Sequence, residues 1–182
     1  MHKYILLNRK KVLTARAFDV EKVFYQLPDG SQKAYDLVDH ADAVTLLAIN
    51  ENHEIYFVRQ YRIGSENVLL ELPAGVLDQD EQPQTAARRE LREEIGMDAE
   101  SFKKLGGFYM TPGYSNEYMY IYLAKELHSA PLEADDDEFL DVIRIPCAKA
   151  YEMAFSGEIQ DGKTLTALFI AYPYLKDLLG NS

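Results

Sequence analysis

Apolar and polar positions follow two different periods along this chain, and the change from one to the other comes just after Gly75. In the first forty residues, short β-like runs alternate with a turn. EKVFYQL (21–27) and QKAYDLV (32–38) read as strands, with Pro28, Asp29 and Gly30 supplying the turn chemistry between them. The pattern predicts an antiparallel β arm over residues 1–40 and a single domain over residues 41–182. AVTLLAI (43–49) and EIYFVRQYR (54–62), joined by the polar NENH, read as a buried hairpin.

Beyond Gly75 the period becomes helical. Pro83 stands where a helix tolerates a missing N–H, Ala87, Leu91 and Ile95 recur at four-residue steps, and Gly96 follows as a stop. FKKLGGFYM (102–110) and EYMYIYLAKEL (117–127) return to strand patterning on either side of the loop TPGYSN. An acidic loop, EADDDE (133–138), precedes the strand FLDVIRI (139–145). The remaining segments, 148–159 and 163–179, are helical in pattern, and Pro173 is expected to kink or end the first part of the last helix. There is no internal repeat or low-complexity tract, and the mixture of elements is α+β.

Composition removes several classes of function. With 182 residues and 47% hydrophobic content, the chain can bury a core, and disorder is not the expectation. A net charge of −11 argues against binding a nucleic acid polymer, because the field repels phosphates unless metal ions or local cations reverse it. Cys147 is the single cysteine, which excludes an intramolecular disulfide, fits a reducing compartment and suits a small core residue. The apolar run of residues 4–7 is broken at once by Asn8, Arg9, Lys10 and Lys11, too short for a secretion signal or a membrane span, so the expectation is a soluble cytoplasmic protein.

The helix after Gly75 carries the densest chemistry. Glu90 and Glu94 stack four residues apart, and Glu93 lies three from Glu90 on an adjoining line. Three carboxylates this close would repel, raising at least one pKa or spreading the side chains. Two remedies are open: intrahelical pairing, with Arg89 four residues before Glu93, or a hard divalent cation such as Mg²⁺, which takes carboxylate and phosphate oxygens.

The stretch GVLDQDEQPQTAARRELREEIGM (75–97) resembles the Nudix box at every specified position: Gly75, five residues, Glu81, seven residues, Arg89-Glu90-Leu91, one residue, Glu93-Glu94, one residue, Gly96-Met97. The resemblance implies the Nudix fold, a mixed β-sheet sandwiched between α-helices, and hydrolysis of a nucleoside diphosphate linked to another moiety. It further implies Glu90 and Glu94 as the main ligands of Mg²⁺ or Mn²⁺, Glu93 as ligand or neighbour of the ligands, Arg89 orienting Glu93, and Glu81 either in a structural role or beside the ligands. ELPAG (71–75), RQYR (59–62) and TPGYSNE (111–117), with Pro112 beyond the box, resemble the ADP-ribose pyrophosphatase and nucleoside diphosphate sugar hydrolase branch. The closing GEIQDGKTLTAL (157–168) is also similar to that branch.

By the same resemblance, Arg62 contacts the diphosphate, the carbonyl of Ala74 completes a metal's coordination, and the acidic loop supplies a base at Asp136 and a ligand at Glu138. Asp136 departs from the more frequent glutamate by one methylene, and Asp135, Asp137 and Glu117 are alternative carriers of the base role. The implied reaction is attack by a metal-activated water on one phosphorus, giving a nucleoside monophosphate and a sugar phosphate. The chain has no tryptophan, so its stacking candidates are Phe24, Tyr25 and Tyr35 on the arm and Tyr114 in the TPG loop. In this branch the N-terminal strands cross to a second subunit, which implies a homodimer with Tyr35 near the partner's nucleobase pocket. DHADAV (39–44) lacks the proline-glycine pair found in many relatives. Other readings are a house-cleaning nucleoside triphosphatase or dinucleotide hydrolase, disfavoured by the PG motif, and a non-catalytic nucleotide-sensing module, disfavoured by the intact box.

Overall fold

The computed structural model describes residues 2–133 and 139–179. By internal contacts the chain forms two units, Met1–Asp42 with Tyr109–Tyr118, and Ala43–Phe108 with Met119–Ser182.

The first unit contains an antiparallel three-stranded sheet, β1 (Ile5–Thr14), β2 (Asp19–Gln26) and β3 (Gln32–Asp39), in that order. Gly30 turns the chain between β2 and β3 at φ 87°, a conformation that glycine adopts without Cβ strain. The β2–β3 register runs from Asp19 opposite Asp39 to Gln26 opposite Gln32. β1 continues through the Asn8–Lys11 polar run, because a strand facing water on both sides is paid for by its ladder rather than by apolar burial; all ten of its residues are exposed. The 109–118 segment docks on the end of β3. Val38 N donates to Tyr114 O at 2.7 Å, and Asn116 Nδ2 donates to Asp39 Oδ1 at 2.5 Å. His40 N donates in turn to Asn116 Oδ1 at 2.8 Å, so Asn116 secures the strand end.

The second unit holds two sheets and three helices. β7 (Ala74–Val76), β4 (Ala43–Ala48), β9 (Tyr118–Ser129) and β8 (Met97–Tyr109) form one sheet in that order. β10 (Asp141–Pro146), β5 (Glu54–Arg62) and β6 (Asn67–Glu71) form the other. The first sheet is mixed, since β4 runs antiparallel to β7 and parallel to β9. Every residue of β4 is buried, and its alternate positions serve two cores. Val44, Leu46 and Ala48 pack with Ala86, Ala87 and Leu91 of α1 (Pro83–Ile95). Leu47 packs with Ala150 of α2 (Cys147–Ser156) and with Ala167, Leu168 and Ala171 of α3 (Gly162–Leu175). A strand sandwiched in this way reads as a continuous apolar run.

Two expectations are corrected. The runs 43–49 and 54–62 do not form a hairpin: β4 and β5 belong to different sheets, joined only by an isolated bridge between Ile49 and Ile55. The edges of β4 are taken by β7 and β9, the latter a pairing of Ala43 with Met119 that local patterning does not encode. Pro173 does not end the last helix either; α3 continues to Leu175 before a single 3₁₀ turn, Lys176–Leu178. Near a C-terminus the lost N–H costs one bond of a ladder that is about to stop. Cys147 is buried in the α2–α3 core, and burial pushes its thiol up to about 11.

Candidate active site

α1 begins with Pro83 at its first turn and ends at Gly96, whose φ of 70° lets its N–H return to Leu91 O. Its buried stripe comprises Ala86, Ala87, Glu90, Leu91, Glu94 and Ile95. Two glutamates therefore share the face that packs on the sheet, at 7% and 6% exposure for Glu90 and Glu94. Isolated carboxylates do not survive such burial without partners, and β7 and Arg89 provide them.

Glu94 Oε2 accepts from the Ala74 amide at 3.1 Å. Glu90 lies against Gly75, where a Cβ would overlap its carboxylate carbon and both oxygens. Gly75 is thus required by close approach and not by backbone conformation, which explains why the box opens on glycine.

Arg89 organises the rest. Its Nη1 donates to Glu90 Oε1 at 2.6 Å and to Glu93 Oε2 at 2.9 Å. Its Nη2 donates to Glu81 Oε2 at 2.9 Å and to Val76 O at 3.0 Å, and its Nε donates to Glu81 Oε1 at 3.2 Å. All five guanidinium N–H groups are matched, a geometry that lysine cannot reproduce. The Glu81 hydrogen bonds, with the Glu90 and Glu93 carboxylates, raise the Arg89 pKa. Reciprocally, the bond from Arg89 holds Glu81 below the usual carboxylate range. The other two arginines of the helix face elsewhere: Arg88 Nη1 donates to Asp98 Oδ1 at 2.6 Å, and Arg92 Nε donates to Ala130 O at 2.9 Å.

The Arg89–Glu93 pairing open from spacing is therefore present, but one guanidinium serves three glutamates, Glu81, Glu90 and Glu93, while Glu94 is held by the Ala74 amide. Among the described residues no three acidic, histidine or cysteine side chains converge as a ready ligand set, since Glu90 is turned to Arg89 and Glu94 to Ala74 N. The donor chemistry, a group of hard carboxylate oxygens, fits a hard divalent cation after side-chain rotation.

Arg62 closes β5. Its Nε and Nη2 donate to Glu71 Oε1 and Oε2 at 2.8 and 2.6 Å, a bidentate fork. Glu71 is 1% exposed and also receives Lys163 Nζ. Burial alone would raise the Glu71 pKa, but the bonds from Arg62 and Lys163 outweigh it and hold the carboxyl below its usual range. Glu71 and Lys163 are the functional candidates that sequence reasoning missed. The available signal was a lysine at the start of a largely apolar helix, directly after Asp161-Gly162, but its partner lies 92 residues away.

The remaining site candidates of the first unit are Tyr35, Tyr114 and Glu117. Tyr35 stands exposed on β3, edge-on to Tyr25 at 6.3 Å, with Lys33 Nζ 5.5 Å from its ring centre. Tyr114 is exposed, while the Glu117 carbonyl accepts from Met110 N at 3.1 Å. Asp135, Asp136, Asp137 and Glu138 lie outside the described residues.

A glycine-gated carboxylate helix packed on a mixed sheet, with its arginine fully engaged, defines a pyrophosphohydrolase of a known class: the chain belongs to the NUDIX family, whose domain matches residues 39–168. Members of this family generally depend on divalent metals. The ADP-ribose pyrophosphatase of Bacillus subtilis (strain 168) is 34% identical over 175 residues, covering 95% of this chain and 94% of that protein. A GDP-mannose pyrophosphatase of Salmonella arizonae is 31% identical, covering 99% of this chain and 100% of its own length. Among solved structures, an ADP compounds hydrolase superposes with a TM-score of 0.85 at 29% identity, covering 96% of this chain and 95% of that one. No helix among the described residues is long and apolar enough to cross a membrane.

Proposed function

We propose that this chain hydrolyses the diphosphate bridge of ADP-ribose or of a nucleoside diphosphate sugar, releasing a nucleoside monophosphate and a sugar phosphate. The observation that carries the reading is the Arg89-centred cluster of Glu81, Glu90 and Glu93, with Glu90 against Gly75 and Glu94 on the Ala74 amide. The full-length similarity to proteins named for ADP-ribose and GDP-mannose directs it to this substrate class.

Glu90 and Glu94 would hold Mg²⁺ or Mn²⁺, with Glu93, the Ala74 carbonyl and Glu138 as further donors. Such an ion, when bound, offsets charge on the phosphate oxygens and lowers the pKa of water at the site. Arg89 keeps Glu93 oriented through Nη1, while Glu90 would turn from the same Nη1 toward the ion. Arg62, its fork steadied by Glu71, donates to the diphosphate. Asp136 accepts the proton of the attacking water, with Asp135, Asp137 and Glu117 as the alternatives.

The reading extends to a homodimer in which the arm reaches a second subunit, bringing Tyr35 to that subunit's nucleobase pocket, with Tyr114 as a further stacking face. It is supported by Ile5, Leu6, Leu7, Val12 and Leu13, which β1 leaves between 42% and 55% exposed. A monomer in sedimentation with full activity would overturn it.

The test of function is incubation with Mg²⁺ and a panel of ADP-ribose, nucleoside diphosphate sugars, dinucleotides and nucleoside triphosphates, with products separated chromatographically. A nucleoside monophosphate and a sugar phosphate are expected. Cleavage of triphosphates or dinucleotides alone would move the chain to another Nudix branch, and binding without turnover would make it a sensing module.

A further inference from the structure

One cation in the second unit is almost wholly buried and takes no part in the reaction as described. Lys163, in the first turn of α3, is 7% exposed. Its Nζ pairs with Glu71 Oε2 and stands 3.2 Å from Asp161 Oδ2. Holding a lysine at this depth requires a purpose-built set of anions, because an unpaired ammonium there costs several kcal/mol.

The set extends in two directions. Toward β5, Glu71 places both oxygens on Arg62, at 2.8 and 2.6 Å. Toward the helix, Asp161 Oδ2 accepts from Thr164 N at 2.9 Å and from the Thr164 hydroxyl at 2.6 Å, capping α3. The Thr164 hydroxyl then accepts from Leu72 N at 2.8 Å. The network thus grips Glu71 by its side chain and Leu72 by its backbone, immediately before the Pro73-Ala74-Gly75 segment that lies against Glu90 and Glu94.

Charge decides what Lys163 adds. A buried carboxylate facing Arg62 alone forms a neutral pair and cancels the guanidinium's attraction for an anion. Asp161 is already engaged with the Thr164 amide at the N-terminus of α3, where the helix dipole favours a negative group. The ammonium is therefore directed at Glu71, and Glu71 is shared between two cations.

We infer that Lys163 is a positioning residue for diphosphate binding: by sharing the Glu71 carboxylate it locks the Arg62 fork in orientation while leaving Arg62's positive charge available to an anionic substrate. This rests on the assignment of Arg62 to the diphosphate made above.

The experiment is equilibrium binding by calorimetry in EDTA, with ADP-ribose and GDP-mannose as probes, on wild type, Arg62→Ala, Lys163→Met and the double variant. Lys163→Gln, which keeps a donor for Glu71 and deletes the charge, is measured in parallel and replaces Lys163→Met if circular dichroism shows that variant unfolded. Lys163→Arg is the conservative control. Each single substitution is expected to weaken binding about tenfold, the size of one charge-assisted contact. The double variant should bind no more weakly than Arg62→Ala, and Lys163→Arg should restore most of the affinity. A buried lysine of purely structural value would give a different result, with the two losses multiplying to about a hundredfold. That outcome, or wild-type affinity in the Lys163 variants while Arg62→Ala binds weakly, overturns the inference and leaves the diphosphate assignment standing. Unchanged affinity in Arg62→Ala removes that assignment and the inference with it; no binding of either probe by metal-free wild type removes the inference alone, since Arg62 then lacks an anion to hold, and the turnover panel with Mg²⁺ decides the substrate class.

Discussion

Gly75→Ala is the smallest change that reaches the centre of the site. At an ordinary strand position, replacing glycine by alanine stabilises by about 0.4–1 kcal/mol, because the unfolded chain loses freedom. Gly75 is such a position by its backbone: it pairs with Val44 in the β4–β7 ladder and has no positive φ. The side-chain space is the opposite case, since the new methyl would occupy the Glu90 carboxylate. Overpacking costs about 1–3 kcal/mol, and turning Glu90 away from Arg89 Nη1 loses a charge-assisted bond worth about 1.5–3 kcal/mol. The two costs are alternatives and not a sum, since turning Glu90 away relieves the overlap, so a net loss of about 1–3 kcal/mol is expected, or roughly 2–12 °C in Tm for a chain of this size. Urea unfolding of Gly75→Ala, Glu90→Ala and the double variant measures it. With the Glu90 side chain removed, the added methyl has space, and Gly75→Ala should become neutral or stabilising. An equal loss in both backgrounds would refute the close-approach argument. Turnover is expected to fall much further than stability, by about 100-fold, because the displaced group is the proposed metal ligand.

Three further outcomes are expected. Glu90→Gln should lower turnover by about 100-fold or more and weaken Mg²⁺ binding in titration calorimetry; normal metal affinity with substantial activity would remove Glu90 from the ligand set. Asp136→Asn should reduce kcat while leaving substrate and metal binding nearly intact, and a wild-type rate would pass the base role to Asp135, Asp137 or Glu117. Glu71, whose folded-state pKa is depressed, contributes stability that is present above the ordinary glutamate value of 4.5 and is lost as pH falls through the lower folded value. Glu71→Gln should accordingly be less stable than wild type at neutral pH, with the gap closing in acid unfolding curves below about pH 4.5; a gap independent of pH would show that the carboxylate charge is not what the two cations hold.

Much of the carboxylate site was legible along the chain because it is local. Glu90, Glu93, Glu94 and Arg89 sit on one helix, and the 3.6-residue period alone brings them together. The start at Pro83, the stop at Gly96 and the core-facing Ala87, Leu91 and Ile95 follow from the same periodicity. Spacing also raised the Arg89–Glu93 pair, but it could not reveal that Arg89 spends all five N–H groups or that Arg88 and Arg92 turn away to Asp98 and Ala130. Those choices depend on which surfaces lie beside the helix.

What only the tertiary structure decided are the long-range pairings. An all-apolar strand such as β4 has no face preference to announce its neighbours, so its parallel partner β9 and its separation from β5 emerge from packing between two helical layers. Gly75 reads in sequence as a motif letter; its physical meaning is the absence of a Cβ where Glu90 enters the sheet. Glu71 and Lys163 are two ordinary charged residues until folding closes a 92-residue separation, and burial then makes each indispensable to the other. The local helical period was enough to group the acidic side chains, whereas the desolvation that gives those charges partners arises only when distant segments exclude water together.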